Sequence, residues 1–252
     1  MPEERNYDII IFGATGFTGG LTADYLAAQP EMKKLRWALA GRSSAKLEAV
    51  RKRLTGINPD CAELDLIEID VNFPAKLKKV VEQARVIITT VGPYIHHGEP
   101  LVKACAEAGT DYVDLTGEPE FIDLIIEKYD AVARKSGARI VNCCGFDSIP
   151  HDLGVLFTVD KLPKDQPIRI EGFVRAGGTF SGGTWHSAIH AMSRMRGHAK
   201  KRKQLQAQQS KANADGRKVG STAMKIHKES EIGAWAVPMP TIDPEVIKRS
   251  AR

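Results

Sequence analysis

The sequence lacks any run of eighteen apolar residues, so no segment is expected to cross a bilayer as a helix. Its first residues, MPEERNYD, are charged and carry no apolar h-region, so no secretory leader is expected there. Cysteine is scarce. The four residues Cys61, Cys105, Cys143 and Cys144 contain no C-x-x-C pair, and the last two sit in an apolar run that suits buried thiols better than a disulfide framework. A reducing, cytoplasmic setting is the expectation. Three catalytic signatures are also missing. The residues four after Tyr7, Tyr25, Tyr94, Tyr112 and Tyr129 are Ile11, Gln29, Gly98, Thr116 and Ala133, which excludes a Tyr-x-x-x-Lys dyad. There is no G-x-S-x-G nucleophile elbow. His186 and His190 share helical spacing, but no glutamate follows His186 and no third ligand is evident, so no metal is expected.

What is present is organised around Asp8–Gly20, DIIIFGATGFTGG. The apolar run Ile9–Phe12 reads as a strand covered on both faces. Gly13, Gly16 and Gly19 follow at spacings of three and open a helix in which Leu21, Tyr25, Leu26 and Ala28 are expected to share the buried side. A strand that turns on glycines into a helix gathers free amides and the positive end of the helix dipole at one point, which is a place for phosphate. Gly13 serves the turn, Gly16 the approach of a pyrophosphate and Gly19 close packing of helix on strand. Thr15, Phe17 and Thr18 complete the loop.

Apolar strands then alternate with helical patterns, the mark of an α/β fold with a doubly wound parallel sheet. Strands are expected at 36–40, 64–70, 85–91, 111–114 and 139–144, with helices at about 44–54, 73–83, 99–108 and 121–135 between them. This makes a Rossmann-type domain over residues 1–147. The remainder, 148–252, reads as a second, incomplete α/β substrate domain. It is expected to hold a helix at 152–159, a half-exposed strand at 168–175, a helix near 184–195 and a helix opening at 244. The net charge of +5 is concentrated in a basic loop or helix at about 194–218. That stretch has no aromatic residue for base stacking, so nucleic acid is not an expected partner; a solvated surface or a peripheral membrane or lipid contact fits it.

The cofactor's identity turns on another absence. NAD sites of this type place Asp or Glu at the tip of the second strand. Residues 32–46 contain no acid, and Gly41, Arg42 and Ser43 occupy the tip. A guanidinium pairs with a 2′-phosphate that a carboxylate would repel, so NADP(H) is the expected cofactor. Asp70 is placed either near the adenine or as a cap of the following helix. Ligands of open parallel sheets lie at the carboxyl ends of the strands, which brings in Val91, Gly92 and Pro93. Tyr94, His97 and His151 are the candidate proton donors on the loops beyond, each with an ordinary alternative: a packed aromatic, a solvated turn residue and a residue near a helix start.

Several segments together resemble the saccharopine dehydrogenase-like oxidoreductases: GATGFTG at 13–19, AGRS at 40–43, VGPY at 91–94, LVKACAEAGTDYVDLTGE at 101–118, NCCGFDSIPHDLG at 142–154 and PTIDPEVIKRSA at 240–251. The resemblance is nearest to the branch of trans-acting enoyl reductases. It implies an NADP-binding Rossmann domain, a substrate domain whose later part lies beyond residue 252, and reduction of an enoyl double bond in a lipid- or polyketide-type substrate, small or carrier-bound. Two alternatives stay open: a saccharopine-type reductase acting at C=N, and a non-catalytic NADPH-binding module at a lipid or membrane surface. A homodimer is compatible with all three.

Overall fold

The computed structural model describes residues 5–163, 166–175, 177, 219–222, 225–238 and 242–251. The chain divides into two compact units, Met1–Cys144 and Gly145–Arg252.

The first unit is a six-stranded sheet built from β1 (Tyr7–Phe12), β2 (Trp37–Gly41), β3 (Asp65–Glu68), β4 (Ala84–Thr89), β5 (Asp111–Asp114) and β6 (Ile140–Val141). The strand order is β3-β2-β1-β4-β5-β6, and every pairing is parallel. This is the doubly wound Rossmann order, in which the chain reverses direction across the sheet between β1 and β4. The helices are α1 (Phe17–Ala28), α2 (Ser44–Thr55), α3 (Pro74–Val81), α4 (Tyr94–His97), α5 (Glu99–Ala108) and α6 (Pro119–Ser136).

Alternation along the strands divides the core in two. Ile10, Phe12, Ala38, Ala40 and Ile87 face Leu77, Leu101, Val102 and Phe121. Ile11 and Leu39 pack with Ala14, Ala23, Ala27, Leu47 and Leu54. Both faces of the sheet are therefore covered, which is why its strands read as continuous apolar runs. Arg5 ties the far edge together. Its guanidinium donates to the carbonyls of Val81, Glu82, Ala84 and Ala108 and to the Thr110 hydroxyl, at 2.8–3.2 Å. A cation is thus placed at the carbonyl ends of α3 and α5, where the helix dipoles favour it.

One expectation about α1 is corrected. Its buried face is Gly19, Gly20, Ala23 and Ala27, whereas Leu21 and Tyr25 are 54% and 66% exposed and Ala28 is also exposed. Small residues face the sheet because the helix lies too close to β1 to admit larger ones. The elements also end earlier than the apolar runs suggest. β6 is two residues long, so Cys143 and Cys144 lie beyond it, with Cys143 at a φ of 63°. All four cysteines are thiols.

The second unit contains α7 (Ile149–Lys161), the antiparallel pair β7 (His227–Glu229) and β8 (Ala234–Ala236), and α8 (Asp243–Ser250). The strand expected at 168–175 is not formed. Those residues are almost all exposed, and no strand among the described residues pairs with them, so alternation finds no sheet to bury its apolar side. The helix expected near 184–195 and the basic stretch at 194–218 lie outside the described residues.

Candidate functional site

The register of the sheet places several strand ends side by side. Phe12 pairs with both Ala40 and Thr89, Thr89 pairs with Asp114, and Gly41 pairs with Glu68. Gly13, Arg42 and Thr90 therefore leave the sheet along one rim.

The glycine turn is stereochemically specified. Gly13 has a φ of 89°, and a Cβ there would stand 2.7 Å from Val91 Cγ2. A Cβ on Gly19 would lie 2.1 Å from the Gly13 carbonyl oxygen and 2.7 Å from Thr90 Oγ1, so α1 could not pack where it does. A Cβ on Gly16 would meet only the Gly13 oxygen, at 3.4 Å, and would otherwise point into open space. Gly16 is the N-cap of α1, with no side-chain cap and no acidic residue in the first turn. Gly16, Phe17 and Thr18 are all exposed. Among the described residues no side chain caps the first amides of α1, and they lie at an exposed turn, which suits the oxygens of a diphosphate.

At the neighbouring strand tip Arg42 is exposed, and it makes no hydrogen bond or ion pair among the described residues. Ser43 is the N-cap of α2 and accepts from the Lys46 amide at 3.4 Å. Ser44 donates to Glu68 across the rim. Thr15 lies against Gly41, where an added Cβ would meet its side chain at 3.5 Å. Asp70 accepts from the Asn72 amide at 2.9 Å, closing the turn before α3; the N-cap of α3 is Phe73, with no side-chain cap, so Asp70 does not cap that helix. The residues present fit a phosphorylated dinucleotide: an open glycine cradle for the bridge and an uncommitted cation where a 2′-phosphate would need one.

The β4 end continues the rim. Thr90 Oγ1 is 3.4 Å from the Gly13 carbonyl oxygen, and Val91 N donates to Thr89 Oγ1 at 3.3 Å. Gly92 is exposed, Pro93 is the N-cap of α4, and the peptide between them is cis. Tyr94 is 5% exposed, and its hydroxyl donates to the Thr89 carbonyl at 3.1 Å. Burial first, and then the negative charge of Asp114, raises its pKa well above the usual phenol range. This is the geometry of the packed aromatic. His97 ends α4 and is exposed beside His96, the two rings roughly T-shaped with centroids 6.2 Å apart.

Two buried carboxylates hold this rim, and neither stood among the candidate site residues. Glu118 accepts from the amides of Tyr94 and Ile95 at 2.8 and 3.0 Å, closing the start of α4. Asp114 is 2% exposed and accepts from the Thr116 and Cys143 amides, the Tyr112 hydroxyl and the Asn142 side chain at 2.7–3.1 Å. Burial raises its pKa, and these donors oppose the rise. Asp114 thereby orders the chain that leaves β6. The signal available in the sequence was an acid at the end of a short apolar strand, DYVD, followed by Thr116 and Glu118. Cys144, whose thiol burial pushes up, lacks the low-pKa setting of a nucleophile.

His151 belongs to the second unit, in the first turn of α7. Its Nδ1 is 3.5 Å from Asp243 Oδ1, and the two side chains are 17% and 11% exposed. Among the described residues no cluster of His, Cys, Asp and Glu could hold a metal ion, and no helix is long and apolar enough to cross a membrane.

A parallel sheet in this order, with a glycine cradle at its first turn and an arginine at the tip of its second strand, defines a dinucleotide-binding domain of the phosphate-accepting kind. Residues 9–141 match the family model described as the saccharopine dehydrogenase NADP binding domain, and the chain belongs to that family. It is 50% identical over 154 residues to a trans-acting enoyl reductase of Mycobacterium bovis, covering 61% of this chain and 36% of the relative. It is 42% identical over 205 residues to a putative trans-acting enoyl reductase of Mycobacterium tuberculosis, covering 80% and 48%. A saccharopine dehydrogenase-like oxidoreductase of Rattus norvegicus is 33% identical over 266 aligned positions, covering 99% and 60%. The chain thus spans between about a third and three fifths of the length of these relatives.

Proposed function

We propose that this chain is the cofactor-binding part of an NADPH-dependent oxidoreductase that saturates an enoyl double bond in a lipid- or polyketide-type substrate, either small or attached to a carrier. The observation that carries the cofactor is the uncommitted Arg42 beside the open glycine cradle. The choice of reaction is supported by 42–50% identity to proteins named trans-acting enoyl reductases.

When bound, NADPH would supply a hydride to one carbon of the double bond. The chain's own work is to orient the cofactor and to give a proton to the other carbon. The cradle holds the diphosphate, Arg42 holds the 2′-phosphate, and the turn Val91–Pro93 shapes the rim beside them. Of the three proton-donor candidates Tyr94 is spent on Thr89 and His97 is solvated. His151, with a carboxylate beside it, is the donor we propose.

A saccharopine-type substrate would need several arginines to meet its carboxylates. Arg169 already pairs with Glu171 among the described residues. The deciding experiment has two steps: quenching of NADPH fluorescence by the chain, then NADPH oxidation with trans-2-enoyl thioesters and, separately, with imines of 2-oxo acids and amines. Oxidation with the thioesters alone is expected. Oxidation with imines alone would transfer the chain to C=N chemistry, and binding without oxidation of either would make it a non-catalytic NADPH module.

A further inference from the structure

Two segments of the second unit that are about ninety residues apart in the chain meet at one pair of side chains. The start of α7 contributes His151, and the start of α8 contributes Asp243. His151 Nδ1 is fully buried and lies 3.5 Å from Asp243 Oδ1. The exposed sixth of the His151 side chain therefore lies away from Nδ1. The Phe146 ring stands edge-on to the imidazole, with centroids 6.2 Å apart.

Two neighbouring carboxylates are engaged elsewhere. On α7, Asp152 accepts from the Ser250 hydroxyl at 2.8 Å. On α8, Glu245 pairs with Lys248 at 2.7 Å. Asp147, just before α7, has its carboxyl pushed upward, first by burial and next by the negative charge of Asp243, with His151 opposing. Asp243 is thus the carboxylate set against the buried nitrogen of His151.

We propose that Asp243 is a positioning residue for His151: it keeps a proton on Nδ1, which leaves Nε2 as the only ring nitrogen that exchanges protons with anything outside. The proposal rests on the reading of His151 as the proton donor. An imidazole whose Nδ1–H faces a carboxylate is fixed in tautomer and orientation. The separation of 3.5 Å is longer than a good hydrogen bond, and such contacts commonly tighten in the liganded enzyme. In the reaction, the carbon left electron-rich by hydride addition takes the proton from Nε2, forming a C–H bond as the N–H bond breaks. The ring ends as neutral imidazole with Nδ1–H toward Asp243 and regains its Nε2 proton from water.

The test uses the whole chain and does not depend on turnover. Imidazole nitrogen–proton NMR spectra would be recorded across pH for the parent protein, Asp243→Asn, Asp243→Glu and Asp152→Asn, with His151→Gln to assign the signal. In Asp243→Asn the neutral ring should lose its preference for Nδ1–H. Asp243→Glu should keep that preference, and Asp152→Asn should not change it. An unaltered tautomer in Asp243→Asn would overturn the proposal.

NADPH oxidation with a trans-2-enoyl thioester gives the second readout. In Asp243→Asn kcat should fall and in Asp243→Glu it should be largely restored, with NADPH affinity unchanged in both. An unaltered kcat in Asp243→Asn would overturn the positioning role. A parent chain that turns over no thioester would remove the proposed function, while the NMR titration would still decide whether Asp243 fixes His151.

Discussion

At the scale of single residues, Arg42 and Tyr94 show what the sequence can and cannot reveal. Arg42 was legible because its meaning depends on a position and on the lack of acids around it, both of which can be read from residues 32–46. Tyr94 was not. A tyrosine after a glycine-proline turn suits a reacting group as well as a buried one, and only its 5% exposure and its bond to Thr89 separate the two. Tyr94→Phe would leave the buried Thr89 carbonyl short of a donor, so stability should fall by about 1–2 kcal/mol in urea unfolding. NADPH affinity should be unchanged, and turnover should stay within a few-fold of the parent. A variant of full stability that loses turnover by orders of magnitude would return Tyr94 to the chemistry. The strand-end rule places Asp114 and Glu118 on the rim but gives them no role, because acids at strand ends are ordinary and their importance lies in which amides reach them in space.

At the scale of elements, the strand–turn–helix of β1 and α1 was legible in type and order, while its limits and the facing of α1 were not: β1 begins at Tyr7 and α1 already at Phe17. Leu21 and Tyr25 are the large apolar residues of that helix, and periodicity favours burying them. Contact with β1 is so close that glycine and alanine take the inner face instead. Gly19→Ala tests this directly. The new Cβ would meet backbone at 2.1 and 2.8 Å, atoms that cannot swing aside, so α1 must move away from β1. We expect about 1–3 kcal/mol of lost stability, typical of overpacking, together with weaker NADPH binding as the outward amides shift. Unaltered thermal midpoint and NADPH affinity would contradict the packing role of Gly19. The stretch 168–175 illustrates the opposite failure. Alternation marks a strand only where a neighbouring strand exists to accept its hydrogen bonds.

At the scale of the whole molecule, the strand order and helix succession of the first unit follow from the regular alternation of apolar runs and amphipathic segments. The second unit has no such rhythm: α7 buries none of its residues fully, and the contact between α7 and α8 joins distant segments that no local pattern connects. Stability of the first unit should also carry a pH signature. Glu99 accepts from Lys128 Nζ at 2.8 Å and from the Tyr129 hydroxyl at 2.9 Å. The Lys128 bond holds its carboxyl below the usual range, although partial burial opposes this. A carboxylate with a depressed folded pKa stabilises the fold above the unfolded value, about 4.3, and loses that contribution as pH falls through the folded value. Acid unfolding of Glu99→Gln should therefore show a shallower loss of stability below about pH 5 than the parent. Parallel curves would show that the Lys128–Glu99–Tyr129 group adds nothing on folding.

The central claim is that the α1 amides and Arg42 together select a dinucleotide carrying a 2′-phosphate. Its most direct measurement is calorimetric titration of the parent chain and of Arg42→Ala with NADPH and NADH side by side. The parent should prefer NADPH, and the variant should lose about 1.5–3 kcal/mol of NADPH affinity, roughly ten- to hundred-fold, with NADH binding nearly unchanged. Equal losses for both cofactors, or a parent chain that binds them equally well, would contradict it.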